Sequence, residues 1–275
     1  MNGQERQQYR EPVVAGRFYP ADPGELRRTL AGLIPTLTAE QRQEALAAVV
    51  PHAGYVYSGA VAGETLARLR LPGTVLLLGP NHHGRGAPAA LDRRCWRTPL
   101  GEVPVDQELA ARILAAETGI VLDETAHDSE HSLEVQVPLL QWLRADISLV
   151  PIVLGHLRYE DCQLVARTLA DAIRGLGRPV LLVASTDMSH YVSREQAARK
   201  DGRALERLQA LDPAGLYRTV HELHISMCGV VPTTVALLAA LELGARQAQL
   251  VRYTDSGAVS GDTAQVVGYA GAIIT

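Results

Sequence analysis

The chain has 275 residues, of which 47% are hydrophobic and 20% charged, with a formal net charge of −4. That is enough apolar material for a large core, while the faintly acidic balance offers no basic patch for nucleic acid. No apolar run approaches the roughly 18 residues needed to cross a bilayer, and Cys95, Cys162 and Cys228 are too few and scattered for a disulfide framework, which points to a reducing cytoplasm and no membrane role.

Taken in chain order, MNGQERQQYREP is polar and lacks the apolar stretch of a signal peptide. Residues 1–10 are expected to be a short flexible tail, with one α/β domain over 11–275. Residues 45–50 (ALAAVV), 74–79 (TVLLLG), 147–154 (ISLVPIVL) and 179–185 (PVLLVAS) are unbroken runs of Val, Leu, Ile and Ala. Such runs suit strands of a sheet covered on both faces. Between them, 59–70, 106–117, 132–143, 159–174 and 194–211 repeat apolar residues at helical spacing. A further helix is expected at 230–243, then two strands at 249–254 and 264–274. RTPLGEVPVD (97–106) reads as a connection with a short hairpin. The order predicts a single α/β domain, with a mixed central β-sheet flanked by helices on both faces.

In such sheets ligands gather beyond the carboxyl ends of the strands, and histidines collect there. PHAGY after the first strand carries His52, and PNHHG after the second carries His82 and His83. TDMSHY after 179–185 carries Asp187 and His190. Adjacent His82 and His83 point opposite ways in an extended segment, so one faces the site and the other meets backbone or solvent. Three residues apart on a helical turn, Asp187 would orient the His190 ring or cap a helix. Three imidazoles at neighbouring strand ends suggest a metal, which needs further ligands. Cys228, just before the helix at 230–243, is a candidate thiolate. In HDSEHSLEVQVPLL (127–140), Ser129 reads as a helix cap, with His131 and Glu134 on one face and His131 lining the site. HELH (221–224) has its second His too early for a zinc motif and reads as solvated surface. No dinucleotide fingerprint, phosphate loop, nucleophile elbow or CxxC pair is present.

The stretches GRFYPAD (16–22), PHAGYVYSG (51–59), LGPNHHG (78–84), RTPLGEVPVD (97–106), DSEHSLEVQVP (128–138), STDMSHY (185–191), MCGVVP (227–232) and VVGYAGAII (266–274) occur in one order along the chain. In them the chain resembles the Memo family, which includes the prokaryotic AmmeMemoRadiSam system protein B. That family is similar to the class III extradiol (LigB-type) dioxygenases, so a LigB-like fold is implied. The resemblance implies metal ligands at His52, His82 and Cys228, with Asp187 and His190 in the pocket and His190 as acid/base. It implies one iron or copper ion, with zinc a further candidate, and partners of the radical-SAM and AMMECR types. The expected function is that of a metal-binding, redox-active enzyme on a small molecule, with His131 donating to a ligand oxygen. Extradiol ring cleavage and a non-catalytic peptide- or anion-binding module are the competing expectations. A thiolate in place of the dioxygenases' carboxylate favours softer metals and is itself oxidisable.

Overall fold

The computed structural model describes residues 9–275. Residues 1–8 of the expected tail lie outside that range. The other two, Tyr9 and Arg10, form β1 (Tyr9–Arg10). Helix α1 (Pro23–Leu33) follows, opened by Asp22, whose carboxylate accepts the Glu25 N–H, and by proline at the first helical position. The chain then runs β2 (Ala47–Val50), α2 (Tyr55–Ala67), β3 (Thr74–Pro80) and β4 (Ala89–Leu91). The hairpin expected near 97–106 is β5 (Cys95–Thr98) and β6 (Gly101–Val103), and β1 pairs parallel with β5. Next come α3 (Gln107–Ala115), β7 (Val121–Leu122), α4 (Gln136–Leu143), β8 (Ser148–Leu154), α5 (Tyr159–Leu176) and β9 (Val180–Ser185). The last part holds β10 (His190–Val192), α6 (Arg194–Gln209), α7 (Pro213–Glu222), α8 (Val230–Glu242), β11 (Ala248–Asp255), α9 (Gly257–Ser260) and β12 (Val266–Ile274).

The main sheet runs β10-β12-β2-β9-β3-β8-β4-β7, with β11 also on β12. Strands β2, β9, β3 and β8 are mutually parallel, whereas β12 and β4 join them antiparallel, giving the mixed sheet. Successive side chains of a strand face opposite ways. Leu76 and Leu78 accordingly pack with α3, α5 and α8 on one face, while Val75 and Leu77 pack with α1, α2 and α4 on the other. Both faces are thus covered by helices, which is why the core strands lack polar alternation. No helix among the described residues is long and apolar enough to cross a membrane.

One topological fact positions everything that follows. The connection from β2 through α2 to β3 leaves a gap of one strand, and β9 fills it more than a hundred residues later. Val50 pairs with Ser185, and Leu78 with Ala184. The carboxyl ends of β2, β9 and β3 therefore lie side by side.

Candidate functional site

His52 leaves β2 two residues past its end, fully buried, and His82 leaves β3 in the same way, partly exposed. Their ring centroids are 5.2 Å apart. His131 completes the group, 5.5 Å from His52 and stacked on His82 at 4.6 Å. One nitrogen of each of the three rings lies within 4.8 Å of the others. Metal–imidazole bonds of about 2.1 Å would bring tetrahedral donors to ~3.4 Å, so a small contraction suffices.

The ring environments fit a cation. His52 Nδ1 contacts the Ser185 hydroxyl at 2.9 Å, and His82 Nδ1 contacts Glu130 Oε1 at 2.8 Å. Both Nδ1 atoms are occupied, so each ring turns its Nε2 away from that partner, the His52 Nε2 toward the Cys228 sulfur. Burial, with His82 nearby, pushes His52 down to about 3, and burial with His52 and His82 pushes His131 down to about 4. Both are neutral near pH 7, the form in which imidazole ligates metals. Burial alone would raise the Glu130 carboxyl, but hydrogen bonds from the His82 ring and from the Ser132 and His82 main-chain N–H groups bring it to about 2.

The structure brings a third imidazole to the two expected ones. The family resemblance implies Cys228 beside His52 and His82, while the sequence reading makes His131 a donor to a bound ligand. Among the described residues the group of mutually close donors is His52, His82 and His131. Cys228 lies beside His52, its Sγ 3.3 Å from Nε2. Its sulfur accepts the Asp187 N–H at 3.2 Å. Burial, reinforced by the Asp187 carboxylate, pushes its thiol up, which outweighs the lowering expected from the start of α8. Gly229 permits this approach: a Cβ there would stand 2.4 Å from Thr186 Cβ and 2.5 Å from Ser185 O.

Asp187 and His190 also take other roles than a shared helical turn. Residues 186–189 are irregular and His190 opens edge strand β10, so no helix is capped. Asp187 Oδ1 accepts the His52 main-chain N–H at 2.8 Å. Burial raises its carboxyl. His190 Nδ1 donates to the Ser226 carbonyl at 2.8 Å, so that carbonyl, not Asp187, orients the ring and leaves its Nε2 open.

Residues 128–135 are turns, and α4 starts only at Gln136, so Ser129 caps nothing. His131 and Glu134 diverge in consequence: His131 faces the site, and Glu134 meets Arg10, Tyr19 and the N–H groups of Val13 and Val14. His83 turns outward onto the Ser129 carbonyl, and His127 is buried against Trp96 with Nε2 on the Ala90 carbonyl. Two residues that sequence reasoning passed over, Glu130 and Ser185, contact the histidine rings directly. Phe18 packs on His131 at 4.7 Å and lines an adjoining cleft of about 840 Å³, with Gly54 and Tyr57 also in its wall.

Comparison with known proteins agrees with the resemblance in the sequence. Residues 10–273 match the Memo-like protein family. A MEMO1 family protein of Methanococcoides burtonii is 42% identical, with 96% of this chain and 99% of that protein covered. Another from Archaeoglobus fulgidus is 43% identical over 96% and 98%, and one from Aquifex aeolicus 41% over the same shares. The crystal structure of an uncharacterized protein from Escherichia coli K12 is similar in fold, with a TM-score of 0.52 at 17% identity, covering 82% of this chain and 98% of that one. With nearly its whole length matched by the family and by relatives at about 40% identity, the chain belongs to the Memo family.

Proposed function

We propose that the chain binds one iron or copper ion at His52, His82 and His131, with Cys228 at the margin, and acts as a redox enzyme on a small molecule. The observation that carries this reading is the meeting of three imidazole nitrogens within 4.8 Å, two of them on neutral rings at neutral pH. Such an ion, when bound, supplies Lewis acidity and one-electron exchange.

The chain's own residues supply the rest. Asp187 fixes the main chain at His52. His190, held through Nδ1, offers Nε2 as a base that takes a proton from a bound molecule and returns it. Phe18, packed on His131 at 4.7 Å, gives the site an apolar edge.

The competing expectations have less support. Extradiol chemistry uses two histidines and a carboxylate. Here the nearby carboxylates, Glu130 and Asp187, are engaged by the His82 ring and by main-chain N–H groups. An anion-binding module needs positive charge, yet His52 and His131 are neutral and two acidic side chains lie beside them. Elemental analysis of protein purified without a metal-affinity tag, followed by metal titration, tests the reading. The expected result is one ion per chain, lost in His52→Ala; protein that takes up no iron, copper or zinc at micromolar concentration ends it.

A further inference from the structure

Resting on the metal-site reading above, a second layer of residues decides which ring nitrogens face the ion. The Ser185 hydroxyl lies 2.6 Å from the Ser132 carbonyl, 2.9 Å from the Gln136 side-chain nitrogen and 2.9 Å from His52 Nδ1. A carbonyl can only accept, so the single hydroxyl proton goes to Ser132. Gln136 Nε2 also donates to the Pro51 carbonyl, which fixes that amide with its NH₂ toward Ser185. The Ser185 oxygen is left with lone pairs alone for the imidazole. His52 Nδ1 must therefore carry the proton, and Nε2 the lone pair.

The same logic applies to His82 with a different acceptor. Glu130 Oε1 takes its Nδ1–H, while Oε2 takes the His82 main-chain N–H at 2.7 Å, so one carboxylate holds both the ring and the backbone. His131 has no such anchor. Its Nδ1 is 3.6 Å from Glu130 Oε1, too far for a hydrogen bond, and the ring packs on His82, Phe18 and the edge of His52.

We infer that Ser185 and Glu130 are positioning residues which lock His52 and His82 into the Nδ1–H form, and that the turn segment 130–136 acts as one template for both. From it come Glu130 for His82, and the Ser132 carbonyl and Gln136 amide that set Ser185 for His52. His131, within the same segment, is placed by ring packing instead. Partners of this kind commonly change metal affinity by about 10–100-fold when removed.

The test uses the full chain, metal-free, with imidazole ¹⁵N–¹H correlation spectra at one neutral pH and zinc affinity by competition with a chromophoric chelator. In the wild type, His52 and His82 appear as Nδ1–H tautomers. Ser185→Ala removes the acceptor on His52 Nδ1. The proton then moves to Nε2, toward the Cys228 sulfur, and zinc affinity falls by about 10–100-fold. Ser185→Thr keeps the hydroxyl and restores both signals. Glu130→Gln retains an oxygen for the ring but loses the main-chain acceptor, and lowers zinc affinity less than Ser185→Ala. Folded Ser185→Ala protein with His52 still Nδ1–H and unchanged zinc affinity overturns the inference. Should Ser185→Ala fail to fold, the wild-type spectra decide, because an Nε2–H tautomer at His52 or His82 overturns it equally. Wild-type protein that ignores zinc counts against the metal-site reading instead, while the tautomer signals still judge this one.

Discussion

Glu130 and Glu134 stand four residues apart in one turn segment, and each is 1% exposed, yet they are neutralised in opposite ways. Glu134 receives the Arg10 guanidinium, the Tyr19 hydroxyl and the N–H groups of Val13 and Val14. It is a clamp: a permanent cation and main-chain donors tie β1 and residues 13 and 14 to the turn segment. Among the described residues, the side-chain partner of Glu130 is the His82 ring, with His131 3.6 Å away. Its charge is balanced by main-chain N–H groups and by rings that are themselves candidate ligands. A buried carboxylate with an arginine is structural here, and one with only imidazoles belongs to the site.

The sharpest way to break the comparison is to unpair the clamp. Glu134→Ala leaves Arg10, 2% exposed, without a counter-charge. Removing one partner of a buried pair costs about 3–5 kcal/mol. The urea midpoint should drop accordingly, while any surviving folded protein keeps its zinc affinity. A loss of zinc affinity at equal foldedness would show that the two carboxylates are not separable.

The next effect is a pH dependence to which the site's imidazoles contribute, along with buried His127 outside it. His52 and His131 are neutral in the fold well below their ordinary value of 6.5, so the unfolded chain binds more protons. Their stabilising contribution is complete above pH 6.5 and is lost as pH falls toward 4 and then 3. Each contributes a slope of up to about 1.4 kcal/mol per pH unit within its window. Glu130, held at about 2 against 4.5, extends the loss of stability below pH 4.5. Thermal unfolding of metal-free protein from pH 7.5 to 4 should show the decline, and His52→Ala should flatten it. A flat wild-type profile would mean that the imidazoles are not buried as neutral rings.

Glu130→Gln should cost less than Glu134→Ala, about 1–3 kcal/mol, because it leaves a main-chain donor poorly matched rather than a guanidinium unpaired. Urea unfolding of the two variants side by side measures the difference. Equal losses would remove the distinction between clamp and site.

Much of this arrangement was legible in the sequence. Unbroken runs of Val, Leu and Ile gave the core strands, because a doubly covered sheet has no polar face to mark, and the residues after each run gave His52, His82 and His190. The orienting groups were not legible, because they depend on register. Ser185 reaches His52 only because β9 slips between β2 and β3 and pairs Ser185 with Val50. Apolar spacing at 132–143 extended the helix over residues that instead form turns shaped by side-chain bonds to Glu130 and Glu134, and this hid the separate roles of His131 and Glu134. The Asp-Pro starts of α1 and α7, at Asp22 and Asp212, were local signals that reading by hydrophobic period alone passes over.

The smallest expected effect checks the alternation that separates His82 from His83. His83 is exposed and spends its Nε2 on the Ser129 carbonyl, a bond at the surface that water replaces at little cost. His83→Ala should therefore leave stability within about 0.5 kcal/mol of the wild type, with zinc affinity unchanged, whereas His82→Ala in the same titration abolishes tight binding. Chelator competition on the two variants reads both. A His83→Ala protein that loses zinc as His82→Ala does would place the donor set on the other side of the β3 exit, and Glu130 would then be holding the wrong ring.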